Sequence, residues 1–501
     1  MKRITSILLT LLMLVMAAAC TADPGKTTDT TAAPTTTASA DTTAEPETTA
    51  PETEYQLPEK DMNKWAFRII NTDPNKHTWV NTTVTVEEQI GETLNDAFYK
   101  RNQTLTEKYN FVIEETLHNG HIINNELAKL AQAQEDVYDI YACADSNLVK
   151  YLPYLADFNM IPGLQLNEAW WIPDATSLYD INMRQVALAG NMTLATASRS
   201  VCMPFNKEIW AERGDPNVSL YDLVRNNEWT FDKYLEIALS VSGDMNGNSQ
   251  WDQEDLYGMY FGRAFKGYLG GFLISGGVNF TTKNSEGLHT FDLHQNERAI
   301  NMLTKLINAW QTDGFTYYSS DNVNGTGDRA YLTGFEDNRA LFTQRVPHDI
   351  INLRSMEQDF GILPMPKYDE KQENYMTPSY GGVVWTLPIT FNMDNAENLG
   401  IVLEAMAYLT YRDVVPAYLE SVVKTRTGRD AESAEMLDIV FSTVYFDYGP
   451  NVLFDAVLAN SFINTIFQQK SSDVIVSSIV SALPTIENYI KDLDKLTMNI
   501  E

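Results

Sequence analysis

Residues 228–259 read EWTFDKYLEIALSVSGDMNGNSQWDQEDLYGM. The first half predicts a helix, with Thr230 as its N-cap and Phe231, Tyr234, Leu235 and Ala238 at helical spacing. The second half is an acidic loop. Asp244, Asn246, Asn248, Asp252 and Asp255 place side-chain oxygens at loop positions one, three, five, nine and twelve, and Gln250 offers its backbone carbonyl at position seven. A hard cation needs several oxygens at about 2.3–2.6 Å, so this spacing suits a structural Ca²⁺. Ser249 stands where such loops carry glycine, and Asp255 is shorter than the usual glutamate. A metal-free turn built by Asn and Asp side chains is the other reading.

Tryptophan-threonine, a helix, then an acidic DxNG loop ending in Tyr257-Gly258 resembles the sugar-type extracellular solute-binding proteins of ABC importers, the family-1 group that includes maltose-binding protein. Other segments in order along the chain strengthen the likeness. Phe205-Asn206-Lys207 followed by Gly214 is similar to the family's FNK…G sequence at the entry to the second lobe. The run FGILPMPKYDEKQENY at 360–375 resembles its GxxPxP segment, and RDAESAEMLDIV at 429–440 is similar to a segment frequent among these receptors in anaerobic Gram-positive bacteria. The likeness spans about residues 64–495 and names no ligand. It implies an α/β, two-lobed periplasmic-binding-protein-like fold with a hinge and an interlobe ligand cleft.

Upstream of this region, Lys2 and Arg3, an apolar run and Ala17-Ala18-Ala19 form a secretory signal over residues 1–19. Cys20 follows directly and is the expected lipidation site, for palmitate or a related acyl chain. Ala17 replaces the leucine usual in such signals, and an ordinary cleaved signal peptide is the alternative. Residues 20–62 are Thr-, Pro- and Glu-rich, too poor in apolar groups to offset chain entropy, and read as a disordered tether. About forty such residues reach roughly 35 Å. No later segment holds the ~20 apolar residues of a membrane helix. The expected location is the outer face of the cell membrane, held by lipid alone.

The remaining chain exceeds one ordinary core, so two lobes are expected. Alternating patterns from residue 64 predict strands at 65–71, 111–116 and 137–142, with helices at 86–109, 123–134 and 148–155 between and after them. Continuous apolar strands between helices argue for a parallel sheet covered on both faces. Residues 187–206 read as extended, 270–277 (GGFLISGG) as a glycine-rich turn, and 341–345 and 383–387 as strands. Helices are expected at 298–310, 396–410, 416–423, 434–441 and 472–493. The first lobe is assigned to 63–200 and 344–400 and the second to 201–343, with the C-terminal helices of 401–501 belonging mainly to the second. Crossings are expected near 198–203 and 343–346.

A net charge of −31 excludes nucleic acid and an anionic membrane surface as partners. No HExxH or Gly-x-Ser-x-Gly pattern is present, and 67 acidic residues make a carboxylate pair uninformative. Cys143 and Cys202 are read as buried thiols, with a disulfide as the alternative. Flat aromatic rings pack on sugar C–H faces, although most aromatics are core. Trp170, Trp171, Tyr260, Tyr380 and Trp385 are the candidate ring contacts, with Arg199 and Arg345 as polar contacts; Trp79, Tyr268, Arg263 and Asp145 form a wider set. The expected function is a monomeric, non-enzymatic receptor that passes a carbohydrate, in first place an oligosaccharide, to an ABC permease and its ATPase. A glycan-capture lipoprotein without a transporter, a secreted hydrolase, and a receptor for peptide or another small solute are the alternatives.

Overall fold

The computed structural model describes residues 54–498 apart from 77–79, 119–123, 146–147, 262–265, 285–288, 319–333, 351–352, 354–355, 380–381, 424–430, 454–456, 458–461 and 470. The folded unit begins at Tyr55, so Cys20 and the expected tether up to residue 53 lie outside the described residues, whereas residues 55–62 belong to the fold and not to the tether: Tyr55 packs on Trp170 and Tyr408, and Met62 is buried.

Two sheets organise this unit. In the first, Trp65–Thr72 lies between Phe111–His118 and Ile140–Ala144 and is parallel to both, with Trp65 opposite Phe111 and Ile69 opposite Ile140. The strand Ile140–Ala144 is buried throughout, as a continuous apolar run should be when helices cover both faces. Val383–Thr386 closes the sheet antiparallel to it, with Trp385 opposite Ala142. Thr93–Tyr109 covers this sheet through a stripe of Phe98, Arg101, Leu105 and Tyr109. That helix starts seven residues later than the periodicity predicts. Gly91 takes a positive φ of 79°, and the Glu92 carboxylate caps Asn95 N–H at 2.7 Å, so Ile90 falls outside the helix and is exposed.

The second sheet runs Thr316–Tyr318, Tyr257–Phe261, Ala340–Thr343, Cys202–Asn206 and Phe360–Pro364. The first three strands are mutually parallel and the last two join antiparallel, with Phe342 opposite Phe205 and Pro364 opposite Cys202. Residues 228–259 build its middle. Trp229 is fully buried against Phe342 and donates from Nε1 to Pro364 O at 2.9 Å, while Thr230 caps Phe231–Ser240 through Lys233 N–H. That helix lies so close to the strand that a Cβ on Gly258 would collide with the Ala238 carbonyl. Residues 270–275 are the end of the helix Lys266–Ser275, and the expected turn is confined to Gly276 and Gly277, the latter at a positive φ of 76°. Burial of Phe272, Leu273 and Ile274 outweighs the roughly 1 kcal/mol that each helical glycine costs.

The chain passes between the sheets in segments that lie side by side. Ser200 bridges Ser379, Cys202 bridges Arg345, and Thr377–Pro378 runs parallel to Val444–Tyr445. The expected crossings near 198–203 and 343–346 therefore meet at the Cys202–Arg345 bridge, and two further segments join them. Phe360–Pro364 belongs to the second sheet, so the return to the first is completed only at Val383, later than a first-lobe stretch beginning at residue 344. The C-terminal helices divide: Ala396–Leu409 and Val415–Val423 pack on Thr93–Tyr109, whereas Ala431–Ser442 packs on Phe360–Pro364. Residues from 401 onward are thus shared between the lobes.

Beneath the first lobe, Glu404 is fully buried and accepts three hydrogen bonds, from Trp170 Nε1 (2.7 Å), Trp171 Nε1 (2.7 Å) and Gln165 N–H (3.0 Å). Trp170 also meets Tyr408 edge-on at 5.2 Å and Tyr55 at 5.6 Å. Leaving any one of these donors unpaired would cost about 1–3 kcal/mol.

Candidate ligand site between the lobes

A cavity of about 280 Å³ opens beside the crossings. Leu178 lines it from the first lobe, just after the short helix Pro173–Ser177. Across from it stands a two-stranded ribbon, Thr282–Lys283 paired with His289–Thr290, together with Asn279 and Thr281. Tyr445, Phe446, Asp447 and Tyr448 form the base, directly after the Val444–Tyr445 crossing strand. The site is therefore assembled where the two lobes meet.

Local geometry fixes the rings. His289 stacks flat on Tyr448, with centroids 3.6 Å apart and planes 7° from parallel, and its Nδ1 lies 3.3 Å from Thr281 Oγ1. Tyr445 donates its hydroxyl to Asn279 Oδ1 at 3.0 Å. Asp447 is buried, and its two oxygens accept from Phe280 N–H (2.9 Å) and Gly449 N–H (2.8 Å). Burial raises the Asp447 carboxyl to about 7 despite those two bonds. Burial, helped by Lys283, lowers His289 to about 4, so the imidazole is neutral at physiological pH. Burial first, then Asp447 and Asp174, pushes the Tyr445 hydroxyl up to about 12. The result is a flat stack, with buried Tyr448 beneath half-buried His289, ringed by amide and hydroxyl groups and the Lys283 ammonium, a surface suited to a polar solute with apolar faces.

None of the expected contacts whose side chains are described lines this cavity. Trp170 and Trp171 are core, with their indoles bound to Glu404, so the expected stacking on a ligand does not fit them. Trp385 is likewise buried, its backbone paired with Leu188 in the first sheet. Arg345 is fully buried at the Cys202 bridge, and Arg199 is half-buried after the helical turn Ala195–Ser198. Tyr260 is buried in the second sheet, stacked on Tyr317 at 5.2 Å. Trp79, Arg263, Tyr380 and the side chain of Tyr268 lie outside the described residues. Asp145 is buried near the site, accepting from Gly382 N–H at 3.0 Å and from Asn451 Nδ2 at 3.4 Å. The sequence signal for the lining of this cavity is VYFDYG at 444–449, three aromatics around one aspartate. Cys143 and Cys202 are free, buried thiols.

The acidic loop lies elsewhere, between Phe231–Ser240 and Tyr257–Phe261. Asp244 accepts from Gly247 N–H (2.7 Å) and Ser249 N–H (2.8 Å), and Asp255 from Met245 N–H and Asp252 N–H (2.9 Å each). Asn246 and Asn248 turn their amides toward Asp252, and each carbonyl oxygen caps the N–H two residues on. Gln250 N–H is one of those capped groups. Among the described residues no group of three or more His, Cys, Asp or Glu side chains is gathered to hold a metal ion. The loop closes on its own backbone donors.

No family model matches the sequence, and no curated protein matches it significantly. Solved structures do match across nearly the whole folded unit. A sugar transporter from Rhizobium etli in an open conformation aligns at 13% identity and a TM-score of 0.55, over 87% of this chain and 100% of its own. The cyclic alpha-maltosyl-1,6-maltose binding protein from Arthrobacter globiformis aligns at 13% identity and TM-score 0.54, over 87% and 100%. UgpB from Mycobacterium tuberculosis in complex with glycerophosphocholine aligns at 12% identity and TM-score 0.52, over 80% and 96%. At these identities the shared property is the fold, and the chain has the α/β two-lobed, periplasmic-binding-protein-like architecture of these binding proteins.

The site's two displaced titrations oppose each other. Below pH 6.5 the unfolded state protonates its histidine while folded His289 stays neutral, so this group makes stability rise with pH between about 4 and 6.5. Folded Asp447 holds its proton to about pH 7 while the unfolded carboxyl loses it near 3.9, so this group makes stability fall between about 4 and 7. Melting temperatures at pH 4–8 should therefore separate on mutation. Relative to wild type, Asp447→Asn should steepen the rise with pH and His289→Gln should steepen the fall; parallel curves for all three proteins would contradict the assignment.

Proposed function

We propose that this chain is the substrate-binding receptor of an ABC importer, capturing a carbohydrate between its two lobes and presenting it to a permease and its ATPase. The observation that carries this reading is the interlobe cavity, where the His289–Tyr448 stack is ringed by polar groups beside the crossing segments. The fold supports it, as do the sugar ligands named for similarly folded structures. A sugar that touches both lobes favours the closed arrangement by its extra contacts there, and the crossings absorb the rotation. An oligosaccharide would place one unit in the cavity and extend along the cleft. The same reading makes the protein a non-enzymatic monomer. A thermal-shift screen over mono- and oligosaccharides tests it, since a ligand at 100 times Kd adds about 2.7 kcal/mol. Tyr448→Ala should weaken the best ligand by about tenfold to a hundredfold, the loss of one ring's packing. A sugar that binds unchanged to Tyr448→Ala and His289→Ala would place the ligand elsewhere.

Anchoring at Cys20 belongs to this proposal and rests on the signal-like residues before it. Among the described residues no helix is long and apolar enough to cross a membrane. Cys20→Ser should move the protein from the membrane fraction into the medium; equal partitioning of both forms would remove the anchor.

A structural calcium ion in the 244–255 loop rests on oxygen spacing alone. Its carboxylates would exchange their backbone donors for the ion, which acts on stability and not on capture. Chelation should lower the melting temperature reversibly while ligand affinity holds; an unshifted melt and no calcium by elemental analysis would remove the ion.

A further inference from the structure

We infer that the captured sugar carries a carboxylate, and that Lys283 is the residue that selects it; this rests on the interlobe site proposed above. Lys283 sits directly opposite His289 in the two-stranded ribbon. Directly opposed residues project to the same face of a ribbon. His289 lies flat on Tyr448 at the cavity base, and Lys283 lines the same cavity. The ammonium is therefore presented to whatever rests on the ring stack.

Lys283 is exposed, and among the described residues no carboxylate pairs with it. Asp447 is the one carboxylate among the lining residues, and both its oxygens are engaged by the Phe280 and Gly449 N–H groups. Among the described residues Lys283 takes part in no ion pair, although the chain carries 67 acidic residues against 36 basic ones. Lys60, Lys108, Lys233 and Lys305 each find a carboxylate within 2.8 Å. The neighbouring imidazole is neutral at physiological pH and adds no second charge. A lone ammonium beside a partly enclosed cavity attracts an anion more strongly than it would in open water. Asp174, exposed on the first lobe near Tyr445, repels the same anion. The carboxylate is thus directed to the ribbon side of the cavity, with the sugar ring on the stack.

Calorimetric titration of the whole mature protein with glucose, galactose, glucuronate, galacturonate and glucose 6-phosphate tests this. The expected result is at least tenfold tighter binding of a uronate than of its neutral parent, weakening as salt rises. Lys283→Gln should cost the uronate about tenfold to a hundredfold and leave the neutral sugar unchanged, while Lys283→Arg should restore most of the affinity. Melting curves of the variants show that the fold is kept. Neutral sugars binding as tightly as uronates, or uronates indifferent to Lys283→Gln, would overturn the selection and leave the receptor reading standing. Binding of the phosphate but of no uronate would overturn the carboxylate. Binding of none of these, with no oligosaccharide shifting the melt either, would overturn both readings.

Discussion

Asp447 ties the two halves of the molecule together. Its carboxylate accepts from Phe280 N–H beside the second lobe, and its own N–H donates to Asn451 Oδ1 at 3.3 Å. The Asn451 amide reaches Asp145 Oδ2, at the end of a first-lobe strand, and Ser379 O, in a crossing segment, at 3.4 and 3.1 Å. This relay is buried, so each member depends on the next for its hydrogen bonds. It lies against the cavity base, where Tyr445 and Tyr448 flank Asp447 in sequence. A solute settling on the His289–Tyr448 stack therefore rests on the same segment that joins the lobes. In the proposed receptor, capture and closure would share one piece of backbone.

The lobes themselves are built not to move. Glu404 gathers two indoles and a backbone N–H into one buried cluster, and Trp229 fastens its helix to the edge strand of the second sheet at Pro364. Such interiors transmit displacement without deforming. The proposed closure would bend the chain at the crossings Ser200–Cys202, Thr377–Ser379 and Val444–Tyr445, which are short paired segments and not packed helices.

Much of the fold was legible in the sequence because its signals are local. The runs WAFRIIN and VYDIYA announced parallel strands, although the second begins only at Ile140 and runs on to Ala144, and Trp229-Thr230 announced a capped helix. The misreadings were also local: Gly91 and the Glu92 cap shorten the helix that periodicity extended back to 86, and burial of Phe272–Ile274 keeps helical a segment whose glycines suggested a turn. The site was harder to read because its chemistry is non-local. The imidazole and its ring partner are 159 positions apart, and no spacing rule connects 289 to 448. Tryptophan drew attention to positions 170 and 171, yet the carboxylate that makes them core lies more than 230 residues downstream. The aromatic-rich VYFDYG run carried the information, but only the Val444–Tyr445 pairing with Thr377–Pro378 shows that it faces a gap between lobes.

The central claim is that a sugar lies between the lobes against His289 and Tyr448. A crystal structure of the mature protein grown with a saturating sugar tests it most directly. The account predicts a sugar ring stacked on the His289–Tyr448 pair, within hydrogen-bond reach of Asn279 or Thr281, with the first lobe closed over it near Leu178. A sugar bound anywhere else, with the His289 ring left uncovered, would contradict it.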